Sequence, residues 1–126
     1  DVEWPKVTRL KAAWQRDRDL PGDALVDALL ATLRDDAVAH DDELPDTGVG
    51  LSMERVLAPI FISGGGYGTR CSSVVLREKS GRLLFVERRY DAHGRACGDS
   101  GLQDVFDARA VVHTLGNFER LHRVAT

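Results

Sequence analysis

Apolar residues recur at helical spacing near the start of the chain and predict a first helix. Val7, Leu10 and Trp14 follow one another at intervals of three and four residues, as on one face of a helix. Proline is tolerated in a first helical turn. The helix is therefore predicted to begin at the segment Trp4-Pro5-Lys6.

A second helix is predicted after the break at Pro21-Gly22, with Asp23 capping its amino end. The residues that follow form one wide apolar stripe: Leu25, Val26, Leu29, Leu30 and Leu33. Both helices therefore need an apolar surface on which to pack.

Two apolar, β-rich runs joined by a tight turn predict an antiparallel hairpin. Residues 69–78 and 82–90 form its strands, and Lys79-Ser80-Gly81-Arg82 forms the turn. Apolar residues run consecutively at 74–76 and 83–86, whereas a sheet with one wet face alternates. We therefore expect both sheet faces to be covered, and the chain to have an α+β fold.

The rest of the chain gives weaker signals. The segment from His40 to Glu54 reads as a turn-rich loop, and residues 56–63 read as a further strand. Cys97 is placed in a glycine-rich turn. Beyond it, residues 103–115 predict a strand and residues 117–123 a short helix.

Composition and charge narrow the class of protein. The chain is 43% hydrophobic and 29% charged, which suits a globular domain. Its net charge is −3 with both signs interspersed, so no basic surface for nucleic acid is predicted. No apolar run approaches the roughly 20 residues of a membrane span, and no segment reads as a signal peptide. We expect a cytoplasmic protein without a membrane span.

The two cysteines, Cys71 and Cys97, form no CxxC pair. Neither a zinc site nor a disulfide framework is therefore predicted, and a reducing compartment is expected. We predict no metal site.

Four glycines, Gly64, Gly65, Gly66 and Gly68, raise the question of a phosphate-binding loop. Such a loop needs a helix directly after it, because the helix N-terminus carries partial positive charge. Here a β-rich run follows from Thr69, and the chain has no Gly-Lys-Ser/Thr sequence. The glycines are interpreted as a connection between strands.

Several segments together resemble the C-terminal half of the NRDE-motif family, which is related to the transport and Golgi organisation protein 2 group. In chain order they are EWPKV (3–7), LPDTGVGLSMER (44–55), IFI (60–62), YGTRCSSVVL (67–76) and GRLLFVERRYD (81–91). The resemblance covers roughly residues 1–95, and residues 96–126 are expected to be an extension. Cys71 stands where the family usually has Ser, and the triple glycine before Tyr67 is longer than the usual turn.

The resemblance implies a fold like that of the N-terminal-nucleophile hydrolases, an αββα sandwich of two antiparallel sheets between helical layers. This chain would supply two helices and an antiparallel meander. Family members begin with a Cys after the initiator Met, followed by the Asn-Arg-Asp-Glu motif. Because this chain opens with Asp1-Val2-Glu3, we expect a fragment, a processed chain or a trimmed one. Its expected partner is the N-terminal half of the same protein or a partner chain.

The resemblance leaves three functions open. The first is an intracellular carrier or chaperone of a hydrophobic small molecule such as haem, which would be cargo and not a resident cofactor. The second is half of an amidohydrolase or acyltransferase for an acyl or amide substrate, whose nucleophilic Cys lies in a preceding segment. The third is an interaction module without chemistry.

The candidate cargo- or substrate-binding residues are Tyr67, Thr69, Arg70, Ser72 and Glu87. A guanidinium at position 70 would bind a carboxylate or phosphate, or form a salt bridge with Glu87 on the paired strand. The hydroxyls of Thr69, Ser72 and Ser73 would donate to a substrate carbonyl or form ordinary cross-strand hydrogen bonds.

Arg70 and Cys71 are also the candidate catalytic residues. A neighbouring cation lowers the pKa of a thiol, which favours a nucleophile, while the alternative for Cys71 is a small core residue. The candidate haem ligands are four scattered histidines, namely His40, His93, His113 and His122.

Overall fold

The computed structural model describes residues 3–64 and 66–103, which contain three helices and one three-stranded antiparallel sheet. The elements are α1 (Pro5–Asp17), α2 (Gly22–Thr32), α3 (Leu51–Leu57), β1 (Cys71–Arg77), β2 (Leu83–Tyr90) and β3 (Ala96–Gln103). A short 3-10 helix at Asp41–Glu43 precedes α3. The α+β fold class is therefore confirmed, and the described residues contain one more helix than was predicted for them.

The first two helices form as predicted, with one difference at the start of α2. Helix α1 has Pro5 as its first residue, where a missing N–H costs no helical hydrogen bond. Helix α2 begins at Gly22, and Asp23 lies inside the first turn without a capping hydrogen bond. The prediction of Asp23 as the cap was wrong, although its charge still complements the helix dipole.

Helix α2 covers one face of the sheet. Val26 and Leu30 pack against Val74 of β1 and Leu84 of β2 in a buried cluster. Burial of one such aliphatic side chain contributes about 1.5–3 kcal/mol, so this contact holds the helix on the sheet. Helix α1 packs in turn against α2.

The sheet order is β1-β2-β3, with Val74 opposite Val86 and Val86 opposite Gly101. β3 was not predicted, because its sequence ACGDSGLQ lacks β-branched residues. Gly101 suits the pairing, since a Cβ there would lie 2.7 Å from the Phe85 carbonyl oxygen. Cys97 lies within β3, so its placement in a turn was wrong.

The two faces of the sheet differ in burial. Along β1, Ser72 and Val74 are buried on the face covered by α2, while Val75 on the opposite face is 57% exposed. Phe85, directly opposite Val75, is buried. Coverage of both sheet faces was expected. Within the described residues, the face opposite α2 is buried at Phe85 but is exposed along β1.

The predicted strand at residues 56–63 was wrong, and so was the reading of residues 51–54 as loop. The segment LSMERVL is rich in helix-forming residues, and it forms α3 directly after Gly50. An irregular segment follows, in which the Phe61 N–H donates to the Asp35 carbonyl at 2.8 Å. Phe61 is thus buried without belonging to a strand.

The predictions for residues 104–115 and 117–123 lie outside the described residues. The first of these predictions began at Gln103, which is the last residue of β3.

Candidate functional site

An apolar groove lies between α3 and the irregular segment that precedes β1. Its volume is about 740 Å³. Its apolar lining consists of Val38, Met53, Val56, Pro59, Phe61, Ile62 and Tyr67. We call this set of residues the α3 groove. Several of these side chains are exposed, with Tyr67 at 62%, so the groove presents apolar surface to solvent.

Two polar contacts position the α3 wall of the groove. The Arg55 guanidinium forms a two-pronged ion pair with Asp41, with its Nε 2.8 Å from Oδ1. One residue earlier on the helix, buried Glu54 accepts hydrogen bonds from the Thr47 N–H at 2.7 Å and the Thr47 hydroxyl at 2.6 Å. These contacts explain why the LPDTGVGLSMER segment has a defined shape.

The glycine-rich segment forms the rim of the groove. The Thr69 N–H donates to the Ile62 carbonyl at 2.8 Å, and the Ile62 N–H donates to the Thr69 hydroxyl at 3.0 Å. This pair of bonds closes the loop of residues 63–68 at its base. Tyr67 projects from the loop at the edge of the groove.

Phe61 forms the floor of the groove and joins it to the sheet. Its ring meets Tyr90 edge to face, with the ring centroids 4.7 Å apart. The Arg34 guanidinium carbon lies 4.2 Å from the centre of the Phe61 ring and 5.2 Å from that of Tyr90. Such contacts stabilise a cation over aromatic faces.

The structure brings only part of the sequence-predicted site together. Tyr67 lines the groove, and Thr69 supports the loop with its hydroxyl already bonded. Ser72 is buried on the sheet face under α2, where it is 6% exposed. Glu87 pairs across from Ser73 on the opposite face, so Ser72 and Glu87 do not share a site.

Arg70 lies just before β1 with its side chain exposed. Its carbonyl accepts a hydrogen bond from the Tyr90 N–H at 2.8 Å. No ion pair joins Arg70 to Glu87, which instead accepts a hydrogen bond from the Ser73 hydroxyl at 3.3 Å. Among the described residues, Arg70 therefore remains available to an anion.

Cys71 lies at the start of β1 in surroundings that oppose a thiolate. The residue is exposed, yet partial desolvation of its thiol raises the pKa, and the charge of Glu87 and a hydrogen bond to it raise the pKa further. The positive charge of Arg70 acts in the opposite direction and is the smallest of these effects. A nucleophilic thiol needs a lowered pKa.

The described residues contain no group of three or more His, Cys, Asp or Glu side chains placed to hold a metal ion. His40 and His93 are exposed and do not line the groove. His113 and His122 lie outside the described residues. The soft donor in the groove is the thioether of Met53.

Sequence reasoning missed four residues that shape this region, namely Arg34, Met53, Phe61 and Tyr90. Phe61 was assigned to a strand, and Met53 to a loop. The available signal was the helix-forming composition of residues 51–57 after Gly50, which indicates that Met53 and Val56 lie three apart on one helix face.

A helix-covered antiparallel sheet with an apolar groove beside it defines this part of the chain as an α+β domain. The family model described as "Transport and Golgi organisation 2" matches residues 1–92, and the chain belongs to that family. The resemblance to the NRDE-motif family is thereby confirmed.

A curated relative supports the same assignment. The chain is 36% identical over 83 residues to the "Transport and Golgi organization protein 2 homolog" of Bos taurus. The match covers 60% of this chain and 29% of the relative, so the chain spans less than a third of that protein. Within the described residues, no helix is long and apolar enough to cross a membrane.

Proposed function

We propose that this chain supplies a cargo-binding surface of an intracellular carrier or chaperone for a hydrophobic small molecule such as haem. The α3 groove is the observation that carries the proposal. Its volume of about 740 Å³ falls within the range of small-molecule sites, which are mostly apolar with few polar groups.

The chemistry of the groove suits a large flat apolar molecule. Val56 and Met53 lie on one face of α3, and Tyr67 stands at the opposite rim. An aromatic ring and a flexible thioether both adapt to an apolar ring system. With no described histidine in the groove, binding rests on apolar contact and on Met53 as the available iron ligand.

The test is a haem titration followed by absorbance, in full-length protein that contains this chain. We expect a Soret shift at micromolar haem. Val56→Asp places a charge in the groove and should weaken binding about tenfold or more, because burying an unpaired charge is costly. Val49→Asp is the matched control, since Val49 is 49% exposed and does not line the groove.

Two results would count against the proposal. One is the absence of any Soret shift in protein containing both halves. The other is an equal loss of haem binding in Val56→Asp and Val49→Asp, because haem would then not bind specifically in the groove.

A second candidate function is half of an amidohydrolase or acyltransferase. The exposed side of β1, with Ser73 and Val75, favours it, because this face would accept a second sheet carrying the nucleophile. The Cys that begins the preceding segment of a full-length protein should then be labelled by an electrophilic acyl probe. Labelling of denatured but not of native protein would rule this function out.

A further inference from the structure

The hydroxyl of Tyr90 is buried and has no hydrogen-bond partner among the described residues. Tyr90 is 5% exposed and lies at the end of β2. A buried hydroxyl without a partner loses its bonds to water and gains none in return. The position therefore calls for a polar group that the described residues do not supply.

Tyr90 lines a second cavity, separate from the α3 groove. Its volume is about 370 Å³. It lies between the carboxyl-terminal half of α2 and the end of β2, and its lining includes Asp27, Leu30, Ala31, Arg34, Arg88 and Tyr90. We call it the Tyr90 cavity. Phe61 lines the groove and contacts Tyr90 and Arg34, so it stands between the two sites.

The charged side chains around this cavity differ in whether they form ion pairs. Arg88 is bound to Asp99 through two hydrogen bonds, of 2.9 and 2.8 Å. Arg34 lies over two aromatic rings and forms no ion pair with a described carboxylate. Asp27 forms no ion pair within 4 Å in the described part of the chain, although its charge acts on Arg88 from a longer distance.

We propose that the Tyr90 cavity binds a small monocarboxylate that also carries a hydroxyl or ammonium group, as hydroxy acids and amino acids do. The Arg34 guanidinium and the Tyr90 hydroxyl donate hydrogen bonds to the carboxylate. Asp27 accepts from the hydroxyl or ammonium group. Leu30 and Ala31 form the apolar wall against the remainder of the ligand.

The same charges set the selectivity. A dianion such as phosphate would face Asp27 with only Arg34 as an unpaired cation among the described residues, so it would keep an uncompensated charge. A simple carboxylate such as acetate would leave Asp27 without a donor. The site therefore prefers the bifunctional ligand over both.

Arg34 is the exposed side chain that lies beside the buried Tyr90. The Tyr90 hydroxyl is enclosed, whereas Arg34 is exposed and its guanidinium lies against the Tyr90 ring. In the proposed complex, Arg34 moves off the two aromatic rings and its guanidinium pairs with the incoming carboxylate. This inference goes beyond the proposed cargo function, because it concerns a different cavity and a different ligand class.

The test is an NMR titration of the full chain with L-lactate, L-alanine, acetate and inorganic phosphate. We expect lactate or alanine to shift the amide signals around Arg34 and Tyr90, and phosphate not to compete. Tyr90→Phe removes one oxygen and keeps the ring, and it should weaken binding about tenfold, as loss of a hydrogen bond to a charged group does. Arg34→Gln should weaken it further, while Arg77→Gln on exposed β1 should not.

Asp27→Asn tests the contact with the hydroxyl or ammonium group separately from the contact with the carboxylate. It should remove the preference for alanine over acetate, because the ammonium group loses its counter-charge, whereas lactate keeps an acceptor in the amide oxygen. Acetate binding should be equal or stronger. The proposal is overturned if neither lactate nor alanine binds at a concentration of about 10 mM, because the affinity would then be very weak. It is also overturned if phosphate binds as well as lactate or alanine, or if Tyr90→Phe binds these ligands as the wild type does. A third such result is an ordered water, and no ligand, hydrogen-bonded to the Tyr90 hydroxyl.

Discussion

Phe61 and Tyr90 meet edge to face, with their ring planes at 78° and their centroids 4.7 Å apart. Phe61 belongs to the irregular segment before β1, and Tyr90 ends β2. With Arg34 lying over both rings, the pair joins the carboxyl end of α2, the groove floor and the sheet. The shape of the α3 groove therefore depends on the packing of the domain core.

We expect Phe61→Leu to lower the free energy of unfolding by about 1–3 kcal/mol, since it removes buried surface and the aromatic contact. Chemical denaturation measures the change. Val75→Ala is the control, because Val75 is 57% exposed and should change stability by less than about 0.5 kcal/mol. Equal effects of the two substitutions would contradict the central role of Phe61.

Gly94 packs tightly against the same cluster from the turn between β2 and β3. Its φ is 71°, and a Cβ there would lie 3.3 Å from a Phe61 ring carbon. Gly94→Ala should cost about 1–2 kcal/mol from backbone strain, with an additional cost from this contact. Gly48→Ala isolates the strain, because Gly48 has φ 88° and open space around it. If both variants lower the free energy of unfolding by the same amount, the close approach to Phe61 does not contribute to stability.

The thiol of Cys71 should react slowly with alkylating reagents at neutral pH, because desolvation and Glu87 raise its pKa. In a Cys97→Ser background, Glu87→Gln should speed alkylation severalfold, since one pKa unit changes the thiolate fraction about tenfold. Arg70→Gln should slow it, because the charge of Arg70 lowers the pKa. Rates that change in the same direction in both variants would refute this account.

The Arg88–Asp99 pair should make part of the stability depend on pH. Hydrogen bonds from Arg88 hold the pKa of Asp99 below its ordinary value. The folded pKa is the lower one, so the contribution is present above the unfolded pKa of about 3.9 and is lost as the pH falls through the folded value. The difference in unfolding free energy between wild type and Asp99→Asn should therefore shrink towards acid.

Urea denaturation at a series of pH values measures this difference. Asp36→Asn is the control, because Asp36 forms no ion pair among the described residues. A wild-type advantage over Asp99→Asn that stays constant down to about pH 2 would show that the ion pair does not act through the ionised carboxylate.

The sequence was sufficient for elements with strong periodicity. Helix α2 carries a continuous apolar stripe, and the hairpin of β1 and β2 has β-rich runs around a tight turn, so both were predicted nearly at their observed bounds. β3 escaped prediction because its pairing with β2, rather than its own residues, makes it a strand. Tertiary contact decides such cases.

Much of the candidate site could not be predicted for the same reason. Whether Ser72 or Ser73 faces α2 depends on strand register, and a shift of one residue exchanges the two faces. Tyr67 could be singled out because it begins the YGTRCSSVVL segment, which resembles the family. Arg34, Phe61 and Tyr90 are distant in sequence, and only the folded chain brings them together.

The two hydrogen bonds between Ile62 and Thr69 separate the glycine-rich loop from the sheet that follows it. Because its two ends are fixed at the base, residues can be added between them without altering the sheet, and the entropic cost rises only slowly with length. Loop length can therefore change the height of the groove rim while the core stays the same. The depth of the groove can therefore change at this position without rebuilding the domain.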